Sequence, residues 1–256
     1  MAQLCKASRC TIVRYYAGIE NCSFLRFSTQ QGCRNFRLMK FSELTLYTRN
    51  LKQQKRFYGE VLGFPCIEAS ENRIVFRAGW SRLVFESART CNPVHYALLI
   101  PGDSFLAARD WLSERVEHLT YEGEEIIDFP NWNARSQYFY DEDRNIVEFI
   151  ARRDVAGTLR GNFSAESITG IGEIGLPASD LEELYQTLNT LKTLPKYSGD
   201  FRRFGAAGDP DGLFILVNPE LKDWFPSGDP VHPAHLRVRG DLNFDFYDQK
   251  ITGIKL

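Results

Sequence analysis

The sequence predicts an α+β protein built from repeated β-α-β-β-β units. Three observations carry this. Short runs of β-branched and aromatic residues alternate in polarity between turn residues, which marks half-buried strands. Single amphipathic helices follow the first strand of each round, and the same order of elements returns at a spacing of roughly 50 residues.

The first round starts at residues 41–48, where Glu43, Thr45 and Tyr47 share one face and Leu44 and Leu46 the other. Asn50 is placed to cap a helix running to about residue 62, with Leu51, Tyr58 and Leu62 on one stripe and Gly63 at its end. Strands follow near 66–68, 73–77 and 82–87. The second round has a strand at 94–100, a helix from Asp103 or Ser104 to about Val116, and strands at 118–121, 137–140 and 146–150. A third begins at Ile171-Gly-Glu-Ile-Gly-Leu176, with a helix from Asp180 to about Leu191 and strands near 196–197, 201–204 and 213–217. One strand of a fourth round, 235–239, is visible. Residues 153–167, bearing Gly and Ser, read as a linker.

The hairpin at 138–152 singles out one residue. Ile146, Glu148 and Ile150 share a face of the second strand, and Val147 and Phe149 share the other. A carboxylate held among apolar residues needs a cation, a metal or hydrogen-bond donors to offset its desolvation.

Composition bounds the function. The chain has 256 residues, 43% hydrophobic and 25% charged, which suits a globular protein with a sizeable core. Residues 1–38 hold six Lys or Arg against one acid, Glu20, so the rest carries a net −7, which argues against a nucleic-acid partner. No apolar run reaches the roughly 20 residues of a membrane span. The head at 1–38 has no clear period and carries Cys5, Cys10, Cys22 and Cys33, with no C-x-x-C pair to suggest zinc. It reads as an unstructured basic extension, with Met39-Lys-Phe-Ser-Glu as a natural start, or as an organellar (mitochondrial) transit peptide. Beyond it only Cys66 and Cys91 remain, as expected of a reducing, cytoplasmic compartment.

Three phrases resemble the vicinal oxygen chelate superfamily, which includes glyoxalase I, bleomycin-resistance proteins and extradiol dioxygenases. They are Arg56-Phe-Tyr-Gly-Glu-Val-Leu-Gly-Phe64, Phe139-Tyr-Asp-Glu-Asp-Arg-Asn-Ile-Val-Glu148 and its echo Gly208-Asp-Pro-Asp-Gly-Leu-Phe-Ile215. The family usually carries Gly where Arg144 stands, a departure that bears on the turn and not on the strand. The resemblance implies two modules paired into a half-open, cup-shaped mixed sheet over residues 39–152, followed by a degenerate second copy at 168–256. It also implies a divalent metal held by the first and last strands of each module, which fall here on Glu43, Glu86, His95 and Glu148. Independently, each of these four sits on a largely apolar strand face.

A set of one histidine and up to three carboxylates suits Mn, Fe(II), Zn, Ni or Co and disfavours the two-histidine, one-carboxylate pattern of iron oxygenases. The reading is a metal-dependent lyase or isomerase in which two neighbouring substrate oxygens are chelated and Glu148 or Glu43 transfers a proton. A metal-free drug- or metabolite-binding protein is the alternative, and a structural module with relic acids a third. Trp80, Trp132, Asn133 and Arg135 are expected at the pocket rim. The partner expected is a small molecule, and a homodimer stays open. Glu173, matching Glu43, with His235 makes an incomplete second set, read as structural or lost. Trp224 is expected to plug the truncated copy.

Overall fold

The computed structural model describes residues 39–155 and 157–253. The expectations for residues 1–38 and their four cysteines lie outside the described residues. The first repeat comprises β1 (Phe41–Thr48), α1 (Leu51–Arg56) continued by a π-helical turn over Phe57–Val61, β2 (Cys66–Ala69), β3 (Arg73–Ala78) and β4 (Ser81–Ser87). The second has β5 (His95–Ile100), α2 (Phe105–Ser113), β6 (His118–Leu119), β7 (Ile127–Phe129), β8 (Ala134–Tyr140) and β9 (Ile146–Arg152). The third has β10 (Gly170–Pro177), α3 (Leu181–Leu191), β11 (Lys196–Gly199), β12 (Phe204–Asp209) and β13 (Gly212–Val217). The fourth holds β14 (His235–Gly240), β15 (Phe244–Tyr247) and β16 (Lys250–Thr252), three strands where one was expected.

Local chemistry explains most boundaries. Asp180 caps α3, its carboxylate accepting the Glu183 N–H at 2.9 Å. Asn50 does not cap α1; its Nδ2 donates to Asp143 at 3.0 Å instead. The strand expected at 201–204 begins only at Phe204. Asp200 accepts the N–H groups of Arg202 and Arg203, closing a turn in which Phe201 takes a φ of 57°. Arg144 adopts the left-handed turn (φ 61°) that glycine would fill without strain. Its guanidinium lies 4.0 Å from the Tyr140 ring centroid and 3.3 Å from Asp229.

Each of the first three repeats is closed by a parallel pairing of its first and last strands, β1 with β4, β5 with β9 and β10 with β13. Between repeats the pairing is not sequential. Strand β10 runs antiparallel to β5, and β1 antiparallel to β14, so the second repeat joins the third and the first joins the fourth. The 39–152 pair expected from sequence is therefore not the pair that forms. All eight residues of β10 are buried, which suits only an interior position in the sheet. It sits between β1 and β5, touching β1 through Phe41 and Ile171, and the rest of β1 is left to β14.

One face of this open sheet carries the main core, in which Leu44, Phe85, Leu98, Phe149, Ile174 and Leu236 pack with the helices. The other face curves into two cups, one in each half.

Candidate functional site

Strand alternation and two bulges build the first cup. On β9, Val147, Phe149 and Ala151 enter the main core, so Ile146, Glu148, Ile150 and Arg152 point into the cup. On β5, His95, Ala97 and Leu99 do the same. Strict alternation along β10 would put Glu173 on the core side with Ile171. A register shift against β5 between Ile171 and Glu173 turns it into the cup instead. The bulge residue is Gly172, whose missing Cβ would lie 2.4 Å from Leu99 Cγ, so no larger residue fits. Strand β1 has the same shift between Phe41 and Glu43, measured against β14.

His95, Glu148 and Glu173 thus converge, with exposures of 5%, 2% and 3%. His95 Nε2 lies 3.4 Å from Glu148 and 3.7 Å from Glu173. Its Nδ1 is 3.1 Å from the Ile146 carbonyl oxygen, which can only accept, so Nδ1 carries a proton and Nε2 faces the acids. Arg152, fully buried, donates from Nη2 to Glu173 and from Nη1 to the Pro210 carbonyl at 2.6 Å. Burial, with the charge of Glu173 alongside, pushes the Glu148 carboxyl up to about 7. For His95, burial acts to lower the pKa, but the Glu173 and Glu148 carboxylates outweigh it and the net direction is up. Tyr138 sits directly across from Glu148 on β8, and burial raises its phenol well above the usual value.

These groups floor a cavity of about 330 Å³ walled by Phe129, Trp132, Tyr138, Phe204, Trp224 and Phe225. Trp224 reaches in from the 218–234 connection, its ring centroid 5.5 Å from that of His95. It packs on Gly175, where a Cβ would come within 2.7 Å of the indole.

The donor set fits a divalent metal. One imidazole nitrogen and one oxygen from each carboxylate lie within 4.8 Å of one another, all buried. The Nδ1 contact holds the imidazole in the tautomer a metal requires at Nε2, and Arg152 orients Glu173 from behind. The fourth position is apolar. Glu148 pairs with Ala97, two residues beyond His95; two beyond Glu173 is Gly175, whose partner on β13 is Ile215.

Neither a family model nor a curated protein matches the sequence. Solved structures do match. A Bacillus subtilis protein described as a candidate dioxygenase is 15% identical with a TM-score of 0.55, the match covering 84% of this chain and 68% of that one. Glyoxalase I from Zea mays is 13% identical over 69% of this chain and 66% of that one, with a TM-score of 0.47. A lactoylglutathione lyase from Agrobacterium tumefaciens is 18% identical over 45% of this chain and 93% of that one, with a TM-score of 0.36. The chain has the vicinal oxygen chelate fold.

Within that fold the four ligands expected from sequence are divided between the cups. His95 and Glu148 stand in the first. Glu43 and Glu86 stand in the second, because β1 pairs with β14 and not with β5. There Arg73 lies 3.9 Å from Glu43, 3.4 Å from Glu86 and 2.6 Å from Glu68. Arg237 lies 3.4 Å from Glu86 and donates to the Tyr47 hydroxyl at 3.1 Å and to Asp245 at 3.1 Å. His235 stacks on Tyr47 at 3.8 Å. Glu43 and Glu86 are thus paired with arginines and stand apart from His95 and Glu148, which group with Glu173 instead.

Of the expected rim, Trp132 lines the cavity. Asn133 instead bonds Asp154 at 3.0 Å and Arg135 bonds Asp128 at 2.7 Å, both exposed and outside the lining. Trp80 packs flat against Gly170 beneath Lys40 and also lies outside it. Glu173, read from sequence as part of an incomplete second set, joins His95 and Glu148, and Trp224 lines the first cup. Arg152 was visible to strand alternation, four residues beyond Glu148, but not as the partner of Glu173.

Proposed function

We propose that the first cup is a divalent-metal site for small-molecule chemistry of the lyase or isomerase kind. The observation that carries this is the convergence of His95, Glu148 and Glu173, three buried donors from three strands at the floor of an aromatic-walled cavity. His95 Nε2 and one oxygen of each glutamate would hold Mn, Fe(II), Zn, Ni or Co. When bound, the ion supplies polarisation of two neighbouring substrate oxygens.

The chain's own residues supply the rest. Glu148 is the group that takes and returns a proton, since it lines the cavity across from Tyr138 and burial pushes its carboxyl up to about 7. Arg152 holds Glu173 in place from behind, which leaves Glu148 as the carboxylate free to exchange a proton. Trp224 and Phe225 keep bulk water from the floor. One histidine with two carboxylates departs from the ligand pattern of iron oxygenases, which weighs against ring cleavage.

A second reading, metal-free ligand binding, is favoured by one feature: Arg152 with Glu173 and His95 with Glu148 neutralise each other without an ion. Metal content after soaking in Mn, Zn, Ni and Fe(II), measured by mass spectrometry, separates the two. About one ion per chain is expected in wild type, lost in His95→Ala and Glu173→Gln and retained in Glu43→Gln and Glu86→Gln. A wild-type chain that takes up none of these metals sinks the enzymatic reading.

A further inference from the structure

Among the described residues lining the cavity, one is a lysine or arginine. Lys222 stands where the cavity meets a shallow surface depression that shares Lys222, Trp224 and Phe225. Its ammonium is half-buried and makes no ion pair; its contact is the Asp223 carbonyl oxygen at 3.4 Å. Burial, with Arg203 nearby, outweighs the neighbouring Asp223 carboxylate and holds its pKa below the ordinary lysine value. Elsewhere the lysines and arginines around the two cups have carboxylate partners: Arg152 has Glu173, Arg73 has three acids, Arg237 has two. The cavity therefore has two places that carry charge, the floor of His95, Glu148 and Glu173, and Lys222. Aromatic rings make up most of the rest. Trp132 and Phe204 lie nearly parallel, 26° apart, and Phe225 meets Tyr138 edge-on.

We infer that the cavity takes a small organic carboxylate with an aromatic or cyclic apolar body, anchored by its carboxylate on Lys222 with its other end toward the floor. The two floor glutamates repel an anion placed among them, while Lys222, which has no ion pair among the described residues, gains one. A flat apolar body matches walls of Trp132, Phe204 and Trp224. The cavity's about 330 Å³ limits the ligand to a single ring with a short chain. This rests on the proposed site for what happens at the floor, but the anchoring itself needs no metal.

The test is calorimetric titration of the full chain with phenylacetate and 3-phenylpropanoate, beside their neutral amides and acetate. Wild type, Lys222→Met and Lys222→Arg are each measured with EDTA and again with one equivalent of Mn. Expected are binding of both aryl acids to wild type, a loss of about tenfold or more in Lys222→Met, and recovery in Lys222→Arg. The amides should bind wild type about as weakly as they bind Lys222→Met. Equal affinity of acids for wild type and Lys222→Met, or of acids and amides for wild type, overturns the anchor. So does the absence of binding by either aryl acid. If the acids bind through Lys222 while the protein takes up no metal, the anchor stands and the metal-dependent reading falls.

Discussion

The two cups of one sheet are built on the same strand pattern and are filled differently. Both take a glutamate turned inward by a bulge near the start of a first strand, Glu173 on β10 and Glu43 on β1. In the first cup the acid is 3% exposed, meets one buried arginine from behind and turns its other oxygen to His95. In the second, Glu43 and Glu86 are half-buried; Arg73 meets both and Arg237 meets Glu86. The difference lies in what fills the concavity. Aromatic rings wall a cavity in the first, and charged side chains meet one another in the second. A carboxylate is available for chemistry where its cation stands behind it and not in front.

The largest expected break of this contrast is Arg152→Met. It leaves Glu173 buried with one partner fewer, which should cost about 3–5 kcal/mol in urea denaturation. A cost below about 1 kcal/mol would mean that Arg152 does not hold Glu173. Glu173→Gln combined with Arg152→Met should recover most of that loss, since the acid left unpaired is gone.

A third buried carboxylate sharpens the comparison. Asp141 sits on the helix side of the sheet, accepting from Asn145 and, at 3.0 Å, from the Tyr58 hydroxyl, which also bonds the Tyr96 hydroxyl. No cation meets it, and burial raises its pKa from 3.8 to about 6. Below about pH 4 it is protonated folded or unfolded. Between 4 and 6 the unfolded chain gives up the proton while the folded one keeps it, so stability falls as pH rises through that window. The loss should reach about 3 kcal/mol and then level off above pH 6. Asp141→Asn should remove this slope; parallel pH dependences for the two proteins would show that Asp141 ionises freely.

The smallest expected effect belongs to the second cup. Arg73→Met breaks contacts to three acids, yet these groups are partly solvated, so the loss should stay within about 1 kcal/mol and shrink in salt. It should leave metal uptake unchanged. A large loss there, or altered uptake, would tie the second cup to the first. Ile215→Glu tests the vacant fourth position: metal retention should rise by about tenfold, while the metal-free protein weakens because a carboxylate is then buried unpaired.

Much of this was legible along the chain. The alternation on β9 identified Glu148 as inward-facing, and the acidic turn at 141–145 located the hairpin, with Arg144 taking the conformation its position demands. His95 and Trp132 followed from the same local logic. Glu173 was equally visible as an acid in an apolar strand, but its importance depended on which strand lay beside it. Asn133 and Arg135 looked like rim residues because they precede a cup strand; short bonds to Asp154 and Asp128 turn them outward. Strands β15 and β16 were passed over although Phe244 and Phe246 alternate with Asp245.

The sequence by itself determined the repeats, the faces of their strands and the acids that would be costly to bury, because these follow from periods of two and 3.6 residues along the backbone. Only the tertiary structure decided which repeats pair. Edge-to-edge pairing is a choice among strands far apart in the chain, settled by the wholly buried β10, which lies inside the sheet. That placement separated Glu43 and Glu86 from His95 and brought Glu173 to it.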